Sequence, residues 1–156
     1  MSAKIVNSNR RTQVDERTGF WVAEDRGSGG ALVGTIAVTV KRDPDMREPP
    51  NSVAQIRRMA VARSCRRRGV GQMLLNEAIS HCHRHRYRAV ELITSEHHHE
   101  ARNLYLKRGF QILRTYSTDY LFGLISWQMH RYRLPCCNNL SGEGRPSSPA
   151  QLDSPS

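Results

Sequence analysis

The sequence predicts an α/β (α+β) domain, and three observations lead to that fold class. Short runs of β-branched and apolar residues, separated by turn residues, fit strands. Two later segments carry apolar side chains at helical spacing, and each follows such a run. At 156 residues the chain is long enough for one domain with its own core.

The first half of the chain predicts three strands. Residues 1–18 are polar and show no period, so no element is expected there. The runs 19–25 and 31–40 predict a hairpin around a glycine-rich turn. After a charged, proline-bearing loop at 42–52, the run 53–62 predicts a third strand, whose strict alternation would place these residues on one face: Val53, Gln55, Arg57, Met59 and Val61.

The second half predicts two helices and two more strands. Helices are expected at 70–85 and 98–110, the second ending at a glycine. A strand at 87–94 separates them, and another begins at residue 110. The run 121–135 is apolar and then basic and is assigned to no element. Trp127 and the aromatic residues near 116–127 are interpreted as packing or as a vestigial membrane-facing surface rather than as a binding site.

The domain is expected to span 19–135, between a polar segment at 1–18 and a tail. The tail, residues 136–156, is rich in Ser, Pro and Gly and is expected to be disordered. No apolar run approaches the roughly 20 residues that span a bilayer, and no signal peptide is evident. A soluble, cytoplasmic chain is therefore expected, unless a longer form carries a membrane segment.

The composition indicates anionic partners without choosing among them. Lys and Arg number 24 against 14 Asp and Glu, a formal charge of +10. Such a surface attracts nucleic acid, anionic lipid or phosphorylated cofactors. The 4 cysteines are irregularly spaced, which favours free thiols in a reducing compartment over a disulfide framework.

The stretch "RRRGVG" between the third strand and the first helix is a candidate anion site. Gly69 and Gly71 let the backbone approach a ligand closely, and the first amides of a helix lack intrahelical partners. The side chains of Arg66, Arg67 and Arg68 would screen a phosphate further. On the glycine pattern alone, a solvated basic loop is the favoured reading. A nucleic-acid surface would need aromatic side chains among the arginines, and none lies between residues 57 and 86.

Two signatures decide between these readings. Arg66, Gly69 and Gly71 match R/Q-x-x-G-x-G/A, and "ARNLYLKRGF" at 101–110 matches A-x-x-x-Y-x-x-x-G-F. In this order and spacing the chain resembles the GNAT superfamily of acetyl-CoA-dependent N-acetyltransferases. The resemblance implies a mixed, mostly antiparallel twisted sheet flanked by helices.

The resemblance narrows to the camello-type branch, which includes N-acetyltransferases of the endoplasmic reticulum. It rests on "FWVAE", "LVG", "RMAV", "YLKRGF" and "HRYRLP" and covers about residues 19–135. Against that family the chain looks shortened at its amino end, without the usual first strand, helices and membrane segment. His98 stands where related enzymes often have Asn.

The resemblance also implies roles for individual residues. The backbone from Arg66 through Val70 to Gly71 would bind the cofactor diphosphate, with His98 nearby. Pantetheine would pair along Met59, Ala60 and Val61 like an added strand. Tyr105 would be the general acid, although a tyrosine on a helix stripe is otherwise a core residue.

The general base is not identified by the sequence. Gln55 stands where some family members carry Glu, and an amide cannot act as a base. Glu91 and Glu100 are read as surface residues, so a water chain is expected to take the amine proton. His81 and His85 share a helix face, and residues 97–99 are histidines, but no second pair at ligand spacing supports a metal, and none is predicted.

The predicted function is acetyl transfer to an amine of a small amino acid, a cysteine conjugate or lysine. The alternative is a catalytically silent acetyl-CoA-binding or interaction protein, and a nucleic-acid-binding module is a weaker third. Without a preceding strand, the strand at 19–25 would be an uncovered sheet edge, from which marginal stability and self-association are expected. The alternative is that residues 1–18 form a substitute, with Lys4, Ile5 and Val6 as a short strand.

Overall fold

The computed structural model describes residues 3–8, 15–42, 49–120 and 122–136. Within these residues seven strands form one sheet in the order β1-β2-β3-β4-β5-β7-β6. The elements in chain order are β1 (Ala3–Asn7), β2 (Gly19–Asp25), β3 (Ala31–Val40), β4 (Val53–Val61), α1 (Val70–Arg84), β5 (Ala89–Ser95), α2 (His99–Lys107), β6 (Gln111–Tyr120) and β7 (Ile125–Pro135).

The sheet is mixed but mostly antiparallel, which confirms the predicted fold class. Only β4 and β5 pair in parallel among the described strands. That pairing needs a crossover connection, and α1 supplies it. The predicted hairpin, the two helices and the strands that flank them are all present, with ends that shift by one to three residues.

The strand β1 lies in the segment where the sequence predicted no element. It pairs antiparallel with β2, and Ala3 and Ile5 pack against the core. Because β1 covers β2, the sheet edge from which we expected self-association is paired. A strand therefore precedes β2, and residues 3–8 and 15–18 contain no helix.

The segment that we left unassigned contains β7. It pairs with β5 on one side and with β6 on the other, so β6 and β7 form the last hairpin of the sheet. Most of the loop at 42–52 lies outside the described residues, as does the predicted tail beyond residue 136.

Both helices contribute to one core on one face of the sheet. Leu74 and Leu75 of α1 are fully buried, and Tyr105 of α2 belongs to the same cluster of buried side chains. Tyr132 of β7 contacts the Tyr105 ring at 6.0 Å between centroids. The opposite face of the sheet, here called the open face, carries no described helix.

Strand β4 does not alternate strictly, which corrects the predicted assignment of its faces. Thr35 pairs with Ala60 but Ala37 with Arg57, so two residues of β4 oppose Ile36 alone. Arg58 takes a φ of 53° in this bulge. The extra residue reverses the alternation, so that Met59 and Val61 pack against the helix-side core together with Ala54 and Ile56.

Burial of titratable groups predicts alkaline unfolding. Burial raises the pKa of the Cys82 thiol from 9.0 to about 12 and that of Tyr87 from 10.0 to about 12. A raised folded-state pKa contributes stability that is present below the unfolded pKa and is lost as pH rises through the folded one. We expect the free energy of unfolding to fall between about pH 9 and 12. Thermal melts across that range should show it, with a shallower fall in Tyr87→Phe.

Candidate active site

Strands β4 and β5 separate partway along their length. They pair only from Val53 to Gln55 on β4 and from Ala89 to Glu91 on β5. Strand β5 continues to Ser95 against β7, whereas β4 continues to Val61 against β3. From residue 56 onward, β4 therefore has an edge that no described strand pairs, and the gap between the two strands opens toward their carboxyl ends.

A cleft of about 810 Å³ lies at this opening. It is bounded by the end of β4, the loop before α1, the start of α1 and the length of α2. Its lining includes Met59, Ala60, Val61, Arg66, Arg67, Gly69, Gly71, His98 and Tyr105. The structure thus brings most of the predicted site residues together around one cavity.

Two predicted residues do not line the cleft. Val70 is buried in the core beneath the first turn of α1. Its side chain therefore faces away from the cavity. Arg68 is exposed and lies outside the lining.

The loop before α1 has the backbone geometry of an anion site. Gly69 is the N-cap of α1 with a φ of 81°, in the left-handed region where a side chain is strained. Arg67, two residues earlier, also has a positive φ of 63°. Left-handed residues between ordinary ones turn successive amides toward one side, and α1 adds its own unpaired N–H groups and dipole there.

Gly71 leaves space in the cleft because it has no side chain. A Cβ placed there would lie 3.4 Å from Leu104 Cδ2 and 3.5 Å from Met59 Cε. The glycine thus lies where α1 faces both α2 and the end of β4. Any longer side chain would enter the cavity.

Tyr105 is buried at the inner wall of the cleft. Only 6% of the residue is exposed, and its hydroxyl donates to Met59 Sδ at 3.5 Å. Burial raises the pKa of Tyr105 to about 12, with a smaller contribution from Tyr132. The hydroxyl therefore stays protonated at neutral pH and is available as a hydrogen-bond donor.

His98 forms the N-cap of α2 at the other side of the cleft. Its Nδ1 lies 3.1 Å from Ser95 Oγ and 3.3 Å from Thr94 Oγ1. These contacts hold the ring against the end of β5. The residue is exposed and its imidazole lines the cleft wall.

Glu91 is buried, not a strand-surface residue as the sequence suggested. Only 2% of its side chain is exposed, and it pairs with Lys41 Nζ at 3.0 Å and Arg133 Nη1 at 2.9 Å. It lies on the open face and belongs to the last β4–β5 pair. Gln55, its partner in that pair, accepts from the Arg57 guanidinium. This ion cluster ties β3, β5 and β7 together where the sheet begins to split.

Removing the Glu91 charge should cost stability. In Glu91→Gln, the Lys41 and Arg133 ammonium and guanidinium groups would face each other without the carboxylate between them. We expect a loss of about 1–3 kcal/mol in the free energy of unfolding, measured by urea denaturation. The control is Glu77→Gln, which breaks an exposed pair with Arg84 and should cost under about 0.5 kcal/mol. Equal losses in both variants would contradict a special role for the buried cluster.

Glu100 is exposed, as the sequence predicted. It lines the cleft and lies 4.0 Å from Arg67 Nη1. His81 and His85 contact each other ring to ring at 4.2 Å, and a His81 ring nitrogen lies 2.9 Å from the Arg17 carbonyl. In the described part of the chain no group of three or more His, Cys, Asp or Glu is arranged to hold a metal ion.

Sequence reasoning missed several lining residues. They are Cys65, Gln72, His97, His99, Asn103, Leu104 and Lys107. The spacing from Ala101 to Leu104 does mark one face of α2, which is the signal that could have found Leu104. Cys65 belongs to a short 3-10 turn at Arg63–Cys65, which no sequence pattern indicated.

The comparison with known families agrees with this geometry. The model of the Acetyltransferase (GNAT) family matches residues 4–110. The chain belongs to this family. The match begins inside β1, which supports counting that strand as part of the family's sheet.

Two curated relatives are of the N-acetyltransferase 8 type. The chain is 31% identical over 122 residues to rat N-acetyltransferase 8, covering 78% of this chain and 52% of that protein. It is 35% identical over 92 residues to rat N-acetyltransferase family 8 member 3, covering 59% of this chain and 38% of that protein. The chain thus spans about half or less of these relatives. These relatives confirm the predicted resemblance to the camello-type branch.

Solved structures show the same fold. A GCN5-related N-acetyltransferase from Kribbella flavida superposes with a TM-score of 0.65 at 25% identity, over 80% of this chain and 71% of that one. Salmonella typhimurium yncA, solved with its cofactor acetyl-CoA, has a TM-score of 0.67 at 14% identity, over 83% of this chain and 71% of that one. No helix among the described residues is long and apolar enough to cross a membrane.

Proposed function

We propose that this chain is an acetyl-CoA-dependent N-acetyltransferase whose acceptor is the amine of a small amino acid, a cysteine conjugate or lysine. The observation that carries the proposal is the cleft at the split between β4 and β5. It joins a helix start whose first amides lack intrahelical partners, a strand edge that no described strand pairs and a buried hydroxyl donor in one cavity.

The residues present fit acetyl-CoA. Gly69 and Gly71 leave the backbone amides at the start of α1 open to a diphosphate. The unpaired edge of β4 at Met59–Val61 suits the amide groups of pantetheine, which bind like an added strand. When bound, acetyl-CoA supplies an activated acetyl group as a thioester.

The chain's own residues would then orient the thioester and stabilise the charges that develop during transfer. A backbone amide at the end of β4 would polarise the thioester carbonyl. Tyr105 would donate its proton to the departing sulfur. The burial that raises the pKa of Tyr105 would also favour the protonated thiol over the thiolate. Because Gln55 is an amide and Glu91 is held by two cations, water is the proposed acceptor of the amine proton.

Two measurements test the proposal in sequence. Calorimetry with acetyl-CoA tests the cleft, and CoA release with a panel of amino acids, cysteine conjugates and lysine peptides tests transfer. We expect binding, and release with at least one acceptor class. Binding without release would favour the silent acetyl-CoA-binding alternative. Absence of binding would overturn the proposed function.

A further inference from the structure

The β6–β7 hairpin projects beyond the rest of the sheet. Strand β5 ends at Ser95, opposite Met129 of β7. Strand β7 begins earlier, at Ile125, which pairs with Tyr120 at the end of β6. The outer part of the hairpin therefore stands clear of β5. Its base is fixed by two bonds between Glu96 and the Gln128 backbone, at 2.9 and 3.2 Å.

The projecting hairpin has two unlike faces. Directly opposed residues share a face, and faces alternate along each strand. One face is mostly apolar and carries Tyr116, Thr118, Tyr120, Ile125, Trp127 and Met129, and the other carries Ser117, Asp119, Ser126 and Gln128. The rings of Tyr120 and Trp127 lie 5.1 Å apart, as expected for neighbours on one face. The apolar face belongs to the open side of the sheet, where Arg133 also lies.

The turn adds exposed apolar side chains at a conformational cost. Phe122 is fully exposed and Leu124 is 84% exposed. Phe122 has a φ of 56° and Gly123 one of 87°, a backbone that favours Asn-Gly. A bulky aromatic residue there costs about 1 kcal/mol or more. No packing within the described chain explains it, because the side chain is in solvent.

The apolar face carries the side-chain types that are found at a bilayer surface. Phe122 and Leu124 come first, and Tyr120 and Trp127 follow, the residue types that favour the lipid–water boundary. Arg114 lies opposite Arg131 on this face, about 20 Å from the Tyr120–Ile125 pair at roughly 3.3 Å per residue.

The arginine pair favours a membrane over a second copy of the chain as the occupant. Neither Arg114 nor Arg131 has an ion-pair partner among the described residues. Like charges held opposite each other call for an anionic counter-surface, which phosphate headgroups provide and an equally basic second copy does not. The formal charge of +10 acts in the same direction.

We propose that the β6–β7 hairpin docks this chain on an anionic lipid surface. Its tip and apolar face enter the boundary region, Arg114 and Arg131 contact headgroup phosphates, and the face that carries Asp119 stays in water. The inference is independent of acetyl transfer. It also places the cleft near the lipid, because the Trp127 ring contacts that of His97, a cleft residue, at 5.6 Å.

Vesicle binding by the full chain tests the proposal directly. We expect co-sedimentation with phosphatidylcholine vesicles that contain phosphatidylserine, and weaker binding to phosphatidylcholine alone or at high salt. Trp127 should report insertion by a blue shift of its fluorescence, since Trp21 is 2% exposed and Trp127 is 42% exposed. No sedimentation with anionic vesicles would overturn the proposal.

Variants locate the binding surface. Phe122→Asn suits the backbone of the turn and should keep or raise the melting temperature while lowering the partition coefficient at least about tenfold. Leu32→Ser removes another exposed apolar side chain and should change nothing. Arg114→Gln with Arg131→Gln should weaken binding about fivefold per charge, whereas Arg84→Gln with Arg86→Gln should not.

Two results would contradict the assignment. Unchanged lipid binding in Phe122→Asn would remove the hairpin from the docking surface. A chain that forms dimers in size-exclusion chromatography, loses them in Phe122→Asn and ignores vesicles would make the hairpin a contact between copies instead.

Discussion

A glutamate in place of Gly71 is expected to abolish acetyl-CoA binding while the chain stays folded. The new Cβ would lie 3.4 Å from Leu104 Cδ2 and 3.6 Å from Val61 Cγ2, so the side chain has room to start but must extend into the cleft. Its carboxylate would occupy the proposed path of the cofactor and repel the diphosphate. We expect a loss of at least about a hundredfold in affinity by calorimetry, or about 2.7 kcal/mol.

Two matched variants distinguish a blocked cofactor site from an unfolded chain. Gly71→Ala adds a Cβ at ordinary contact distance inside the first turn of α1, where alanine is the better helix former. It should melt at or above the temperature of the parent chain and bind acetyl-CoA more weakly, but far less so than the glutamate variant. Arg67→Ala removes only an exposed charge and should cost a few-fold, with strong salt dependence. Full affinity in Gly71→Glu would show that the cofactor does not cross this glycine.

Local patterns were sufficient to predict most of the fold. The runs that became β2 and β3 and the apolar stripe of α1 are long enough to specify their own structure. Strand β1 was not predictable in this way, because its few apolar residues form a strand only by pairing with β2. Strand β7 was hidden because the apolar side chains of its first half, Ile125 and Trp127, lie on an exposed hairpin face rather than in the core.

The candidate site was predictable where backbone chemistry defines it. Glycines before a helix indicate a tight turn that a ligand can approach closely, so the loop at Gly69 could be predicted from the sequence. The bulge at Arg58 could not, since nothing in "QIRRMAV" marks the extra residue, and it decides which way Met59 and Val61 face. The partners of Glu91 were equally hidden, because Lys41, just after β3, and Arg133, on β7, are distant from it in sequence.

The proposed acid gives the second large effect: Tyr105→Phe should lower turnover by about 10²–10⁴-fold, the usual contribution of a positioned proton donor. In the structure this substitution removes the hydroxyl and leaves the packing of the ring unchanged. Among the described residues the hydroxyl has Met59 Sδ as its hydrogen-bond partner, a weak acceptor, and the ring packs against Phe110 and Tyr132. Phenylalanine keeps that packing, so the melting temperature and the affinity for acetyl-CoA should change little.

The control for this test is Tyr132→Phe, which removes a neighbouring buried hydroxyl. That hydroxyl accepts from Arg102 Nε at 3.2 Å and lies outside the cleft lining, so its loss should affect stability more than turnover. Turnover is followed as CoA release with an acceptor identified in the amine panel. If Tyr105→Phe kept full turnover, water would have to supply the proton, and Tyr105 would serve only to pack α2 against β7. If it lost acetyl-CoA affinity as well, the hydroxyl would be a binding group rather than the acid, because a proton donated only to the departing sulfur leaves ground-state binding unchanged.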